Sequence, residues 1–260
     1  MTAAKAPGNP PVEGCRIRLA TLGRFDIEVD GSKIHFGRTS PRKPLALLQA
    51  LLISPDRPLC VYRACDWLWP DADPHSAYRS LVTTTCRLRR WLQCADAVRF
   101  LPDGLALNAD RVCVDAWQFE RDLAGHTSQS QIDAALRLYS GAFLDGCNLP
   151  GVIEMRERLQ RRYVRAVRTA ADGSRRAGDH ATALATYERA LELVATDEDL
   201  HRDLMQLFIQ QGNATAATAT FQRCRHLLAA RFGTSPSPAT VLAFRSIGSP
   251  ACDQRVTAVA

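Results

Sequence analysis

The 260-residue chain is 46% hydrophobic and 23% charged, which excludes a disordered polymer and leaves room for two domains of ordinary size. Its net charge of +6 is unevenly placed: residues 16–111 carry 15 Lys/Arg against 10 Asp/Glu, whereas residues 112–260 carry 17 against 16. The basic first half suits a polyanionic partner. Met1–Gly14 lacks an apolar h-region, and the most apolar run, Leu45–Ile53, is nine residues long, so a soluble, cytoplasmic protein without membrane contact is expected.

Residues 1–14 read as a disordered tail. Arg16–Ala20 and Phe25–Val29 alternate in character, and Asp30-Gly31 forms a turn before Lys33-Ile34-His35-Phe36, which together predict a small antiparallel sheet. Ser40 as N-cap and Pro41 as first helical residue open a helix with Leu45, Leu48, Leu51 and Leu52 on its buried face. Val61–Leu68 is a second short helix, closed by Trp69-Pro70. The polar link Asp71–Pro74 leads into a third helix over 75–92, and Pro102-Asp103-Gly104 then joins Val98–Leu101 to Leu105–Leu107 as a hairpin.

The third helix carries the most information. At 100° per residue, Ala77, Leu81, Thr85, Leu88 and Leu92 fall on one stripe, bordered by Tyr78 and Trp91. The opposite face holds Ser76, Arg79, Thr83, Cys86, Arg87 and Arg90, and no acid. Such a face is suited to the major groove of DNA, where arginines meet phosphates or guanine edges and threonines meet phosphates or thymine methyls. Strands, three helices and a hairpin follow the order of a winged helix, whose hairpin reaches the neighbouring backbone or minor groove. Ser76, Arg79, Thr83, Arg87 and Arg90, with Arg42 on the first helix and Arg99 beside the hairpin, form the predicted DNA-binding set. Leu48, Trp69, Leu81 and Leu88 form the predicted core. His75, at the start of the third helix, is a candidate phosphate contact.

After Asp115 strand signals vanish and Ala-rich helical patterning takes over. Gly178-Asp179 corresponds to Gly212-Asn213, Ala183 to Ala217, Tyr187 to Phe221 and Arg189 to Arg223, each at an offset of 34 residues. That is the period of tetratricopeptide helix pairs. Ala134-Ala135 and Tyr139 mark an earlier unit with the same Ala-to-Tyr spacing. The fold class expected is therefore an α+β winged helix-turn-helix followed by an all-α tetratricopeptide-like repeat domain, the first over 15–110, the second over 111–247, with a tail over 248–260.

Within this order, Leu22-Gly23-Arg24-Phe25, Asp30-Gly31, Pro41–Leu48, Leu68-Trp69-Pro70-Asp71 and Leu88–Leu92 resemble an OmpR-type winged helix. Val114–Phe119, Leu138-Tyr139-Ser140-Gly141-Ala142-Phe143-Leu144, Tyr187–Leu191, Arg231-Phe232-Gly233 and Pro236-Ser237-Pro238 resemble the bacterial transcriptional activator domain. The pairing is similar to that of the short antibiotic regulatory protein family, across roughly residues 16–245. The resemblance implies a transcriptional activator that binds direct repeats in double-stranded promoter DNA and contacts RNA polymerase through its sigma or alpha subunit; a homodimer is compatible with it. Leu149-Pro150-Gly151-Val152 stands where the family often places a Trp. The Trp69–Pro74 loop, with Asp71 and Asp73, is the candidate polymerase contact, since acids there are repelled by phosphate. Capping of the next helix is the competing role for Asp73.

No G-x-x-x-x-G-K-[ST], G-x-S-x-G or H-E-x-x-H stretch occurs, so no enzyme, cofactor or metal is expected. The six histidines are scattered and read as surface or satisfied residues. The nine cysteines show no C-x-x-C and read as reduced apolar residues. An alternative reading is a tetratricopeptide interaction adaptor without direct DNA binding, which has no need of the acid-free arginine face.

Overall fold

The computed structural model describes residues 15–34, 41–53, 57–125 and 128–246. The chain divides into two compact units, one running to Arg161 and one starting at Arg162.

The first unit opens on three antiparallel strands, β1 (Ile17–Ala20), β2 (Asp26–Val29) and β3 (Ser32–Ile34), with Ile17 opposite Val29 and Ile27 opposite Ile34. Alternation buries Ile17, Leu19, Ile27 and Val29 on one face. Asp30 and Gly31 both have positive φ, as a tight hairpin with matching twist demands. The fourth strand, β6 (Val112–Val114), pairs parallel to β1, giving the order β3-β2-β1-β6. Its Val-Cys-Val run is too short to signal a strand in the sequence.

Three helices follow the hairpin: α1 (Arg42–Leu52), α2 (Val61–Leu68) and α3 (Pro74–Trp91). The α1 start differs from expectation. Pro41 occupies the cap position with extended backbone and no side-chain cap bond, so the helix begins at Arg42; Ser40, His35 and Phe36 lie outside the described residues. The wing consists of β4 (Val98–Leu101) and β5 (Gly104–Leu107). Leu59 and Leu105 exchange backbone hydrogen bonds of 2.7 and 2.9 Å, which tie the wing to the segment before α2. Leu48, Leu81 and Leu88 are fully buried, as predicted. Trp69 is not: it is half-buried, because the chain turns outward at Pro70 and leaves its ring beneath the Lys43 ammonium, 5.4 Å from the ring centre.

Two helices, α4 (Asp115–Asp122) and α5 (Gln129–Leu138), complete the first unit with the start of α6 (Val152–Arg176). They are fastened to the sheet at a polar seam. The Asp115 carboxylate accepts hydrogen bonds from the Thr21 amide and hydroxyl, the Leu22 amide and the Ala116 amide, at 2.5–3.1 Å. Burial pushes its pKa above the ordinary value, while these bonds favour the charged form. Residues 139–144 lie along Thr21–Gly23: the Gly23 amide donates to Ala142 O (3.0 Å) and the Leu144 amide to Thr21 O (2.8 Å). A Cβ on Gly23 would stand 2.6 Å from Ser140 O, and one on Gly141 would stand 2.8 Å from the Gly23 Cα. Both positions have positive φ, so glycine is required twice over.

One expectation about cysteine is corrected here. Cys15 and Cys113 are joined as a disulfide, because β1 and β6 run side by side. The remaining cysteines among the described residues are free.

The second unit contains the rest of α6, then α7 (His180–Leu193), α8 (Glu198–Gln210), α9 (Ala214–Phe232) and α10 (Pro238–Arg245). The 34-residue register is physical. Asp179 caps α7 through the Thr182 amide (2.9 Å), and Asn213 caps α9 through the Ala216 amide (3.0 Å). Ala183 and Ala217 are fully buried, and Tyr187 and Phe221 fill the core beside them. Ser237 caps α10, whose Phe244 stacks on Phe221 with ring centres 4.0 Å apart.

Candidate nucleic-acid interface

The start of α3 is fixed by Asp73. Its carboxylate accepts from the His75 and Ser76 amides at 3.1 and 3.0 Å, and Pro74 supplies the preset φ of the first helical residue. Hydrogen bonding to Ser76 holds the Asp73 carboxyl below the usual carboxylate range. The helix then buries Ala77, Leu81, Thr84, Thr85 and Leu88. Thr84 joins the buried face unpredicted, since it borders the stripe at 100° per residue.

Every residue assigned to the opposite face is exposed: Ser76, Arg79, Thr83, Cys86, Arg87 and Arg90. Of these, Ser76, Arg79, Thr83 and Arg87 converge with Ser80 and Thr84 on a cavity of about 430 Å³, closed on its other side by Lys43 and Trp69. Among the described residues no carboxylate lines it. The Thr83 hydroxyl donates to Arg79 O at 2.9 Å, which leaves its oxygen lone pairs to accept from a partner. Lys43 donates to Leu68 O, and this fixes its ammonium beside the helix.

The other predicted residues stand apart. Arg42 and Arg90 are exposed outside the cavity. Arg99, on β4, is exposed and lies 3.7 Å from Asp110, a surface pair that only partly offsets its charge. Asp71 is exposed in the α2–α3 connection, whereas the Asp73 carboxylate is committed to the helix cap. His75 is exposed at the first turn. Sequence reasoning missed Lys43 and Ser80. Ser80 lies at the edge of the polar face, but Lys43 comes from another helix, and only the crossing of α1 on α3 brings it there. Arg89 is diverted: its guanidinium donates twice to Val98 O (3.0 and 2.7 Å) and covers Phe100, joining α3 to the wing.

Beside this surface, a second cavity of about 690 Å³ is lined by Tyr62, Trp69, Pro70, Tyr78, Pro102 and Asp103 among others, between α2, the α2–α3 connection and the wing turn. Tyr62 is 81% exposed. Among the described residues no cluster of His, Cys, Asp or Glu is arranged to hold a metal ion, and no helix is long and apolar enough to cross a membrane.

The model of the family described as Bacterial transcriptional activator domain matches residues 114–247. The chain is similar to Regulatory protein AfsR of Streptomyces coelicolor, with 28% identity over 247 residues, covering 90% of this chain and 24% of AfsR. It is similar also to Transcriptional regulatory protein MoaR1 of Mycobacterium tuberculosis, with 24% identity over 239 residues, 85% of this chain and 76% of MoaR1. The chain thus spans about a quarter of the length of the first relative and about three quarters of the second. Among solved structures, Mycobacterium tuberculosis EmbR, determined in complex with a low affinity phosphopeptide, shares the fold, with a TM-score of 0.64 at 22% identity over 89% of this chain and 65% of that one.

Proposed function

The chain belongs to the bacterial transcriptional activator domain family, and on that premise we propose that it is a sequence-specific DNA-binding transcriptional regulator, an activator that places α3 in the major groove of promoter DNA and recruits RNA polymerase. The observation that carries this reading is the acid-free outer face of α3, where Ser76, Arg79, Thr83 and Arg87 meet Lys43 around one cavity. Arginine there reads guanine bidentately, and Lys43 with the serine and threonine hydroxyls holds flanking phosphates. Arg42, Arg90 and Arg99 extend the phosphate contacts on either side.

In this reading residues 15–110 bind DNA, residues 111–247 form the activator domain, and Asp71 in the α2–α3 connection meets the sigma or alpha subunit of polymerase. The protein acts in the cytoplasm at the nucleoid, as a monomer or homodimer, and performs no catalysis. The regulators named among its relatives and the winged-helix order of the first unit support these assignments.

A gel-shift with genomic fragments, the gene's own promoter included, tests the proposal. Binding that is specific and falls by roughly 0.9 log units per log unit of salt for each phosphate contacted is the expected result. Absence of any shift at low salt by the folded chain overturns it and favours an interaction adaptor.

A further inference from the structure

Cys15 stands just before β1, and Cys113 is the middle residue of β6, the strand parallel to β1. Strand pairing anchors the chain on either side of the bond. Ile17 N donates to Arg111 O at 3.0 Å and Arg18 lies opposite Cys113, so the ladder anchors both segments, and the bend at Arg16 brings Cys15 back toward Cys113, with Cα atoms 5.9 Å apart. That separation lies within the range a disulfide spans. Both residues are half-buried, within reach of a small thiol reagent.

The other cysteines are differently placed. Cys65, Cys94, Cys147 and Cys224 are buried, and burial pushes the Cys224 thiol up to about 11 and raises that of Cys65. A thiol so shielded is inert. Cys60 and Cys86 are exposed and free, on α2's cap and α3's outer face.

The position of the pair in the chain decides what the bond encloses. The two cysteines are 98 residues apart, and the covalent ring they close contains β1–β5 and α1–α3 with the whole candidate DNA surface. Closing a long loop removes conformational freedom from the unfolded chain and leaves the native contacts in place.

We propose that Cys15 and Cys113 form a reversible redox site, which a low-molecular-weight disulfide oxidises and a low-molecular-weight thiol reduces, and whose oxidation locks the winged-helix region against unfolding. In the forward direction one cysteine thiolate attacks a sulfur of the small disulfide, forming a mixed disulfide and expelling one thiolate. The second cysteine thiolate attacks the protein-bound sulfur of the mixed disulfide and expels the other. The two cysteines lose two electrons and two protons in total, and the small disulfide becomes two thiols. In a reducing compartment such a pair is a sensor rather than a permanent staple. The inference is independent of the DNA-binding proposal.

The test uses the full chain equilibrated in glutathione mixtures from wholly reduced to wholly oxidised, quenched, alkylated and mapped by mass spectrometry, with thermal unfolding recorded in parallel. The expected result is a Cys15–Cys113 cross-link that appears and disappears with the ratio, together with a rise in Tm of the first unit by on the order of 10 °C in the oxidised form. A cross-link that never forms in the wholly oxidised buffer overturns the proposal. One that persists in millimolar reduced glutathione overturns it in favour of a permanent structural bond. Should Cys15→Ser fold, an unchanged oxidant-dependent shift in that variant also overturns it; should it not fold, reduced and oxidised wild-type chain still give the comparison.

Discussion

Gly23 has φ +90° and would press a Cβ onto the Ser140 carbonyl, so its lack of a side chain is what lets residues 139–144 lie against the end of β1. Gly23→Ala combines a strained backbone with a clash between main chains that have no rotamer to escape into, and it should cost at least about 2 kcal/mol in urea unfolding of the first unit. A loss below about 0.5 kcal/mol, the range of ordinary surface changes, would mean that the seam yields freely. Arg79 and Arg87 carry the opposite kind of role. Both are exposed, and neither supports the core, so their removal should leave stability unchanged. Replacing either with Ala should weaken operator binding by about 1–3 kcal/mol if it reads guanine bidentately. Unaltered affinity in the double variant, with an intact circular dichroism spectrum, would remove them from the interface.

Among the elements, α3 was legible in the sequence because it is long, amphipathic and capped: Asp73-Pro74 marks its start, and the apolar stripe fixes its phase. The limits of α2 were legible because Pro70 stops it. The β6 strand was not, since its three residues acquire meaning only from β1, nearly a hundred residues earlier. Lys43 in the cavity and the Asp115–Thr21 seam escaped for the same reason: spacing along a chain does not reveal which elements cross. The phase of α3 is testable at Leu88, which is fully buried, so Leu88→Ala should destabilise the first unit by about 2–5 kcal/mol. Loss of DNA binding at unchanged stability would instead turn Leu88 toward the DNA. In α8 the structure corrects the view of the histidines as surface or satisfied groups. His201 is fully buried; its Nε2 is 2.9 Å from Ala195 O, and its Nδ1 has no partner among the described residues. Burial depresses its pKa below the ordinary 6.5. The unfolded chain therefore takes up the proton first, and this contribution to stability is full above pH 6.5 and is lost as pH falls through the window below it. Asp197, raised by its own burial, carries the opposite sign and stays in place in a His201→Leu variant. Melting curves at pH 7.5 and 5.5 should show a smaller drop in that variant than in wild type; equal drops would place the proton elsewhere.

At the scale of the whole molecule, the proposed function needs separate surfaces for DNA and for polymerase, and in that proposal the α2–α3 connection separates them. The cavity lined by Lys43, Arg79 and Arg87 lies to one side of Trp69, and the Tyr62–Tyr78 cavity, lined by acidic Asp66 and Asp103, also meets Trp69. Within the connection the two candidate acids have diverged in role. Asp73 spends its carboxylate on the α3 cap, so changing it disturbs the helix proposed to read DNA and cannot isolate a partner contact. Asp71 is exposed and outside the cap, so a charge reversal there alters only the field a partner meets. Asp71→Lys should lower transcription several-fold in a reconstituted promoter assay while operator affinity holds or rises slightly, the new cation lying near a polyanion. The slight rise should fade as salt screens it, because the Debye length is about 10 Å at 0.1 M ionic strength. Normal transcription by this variant on a fully occupied promoter would reduce the connection to a link between helices.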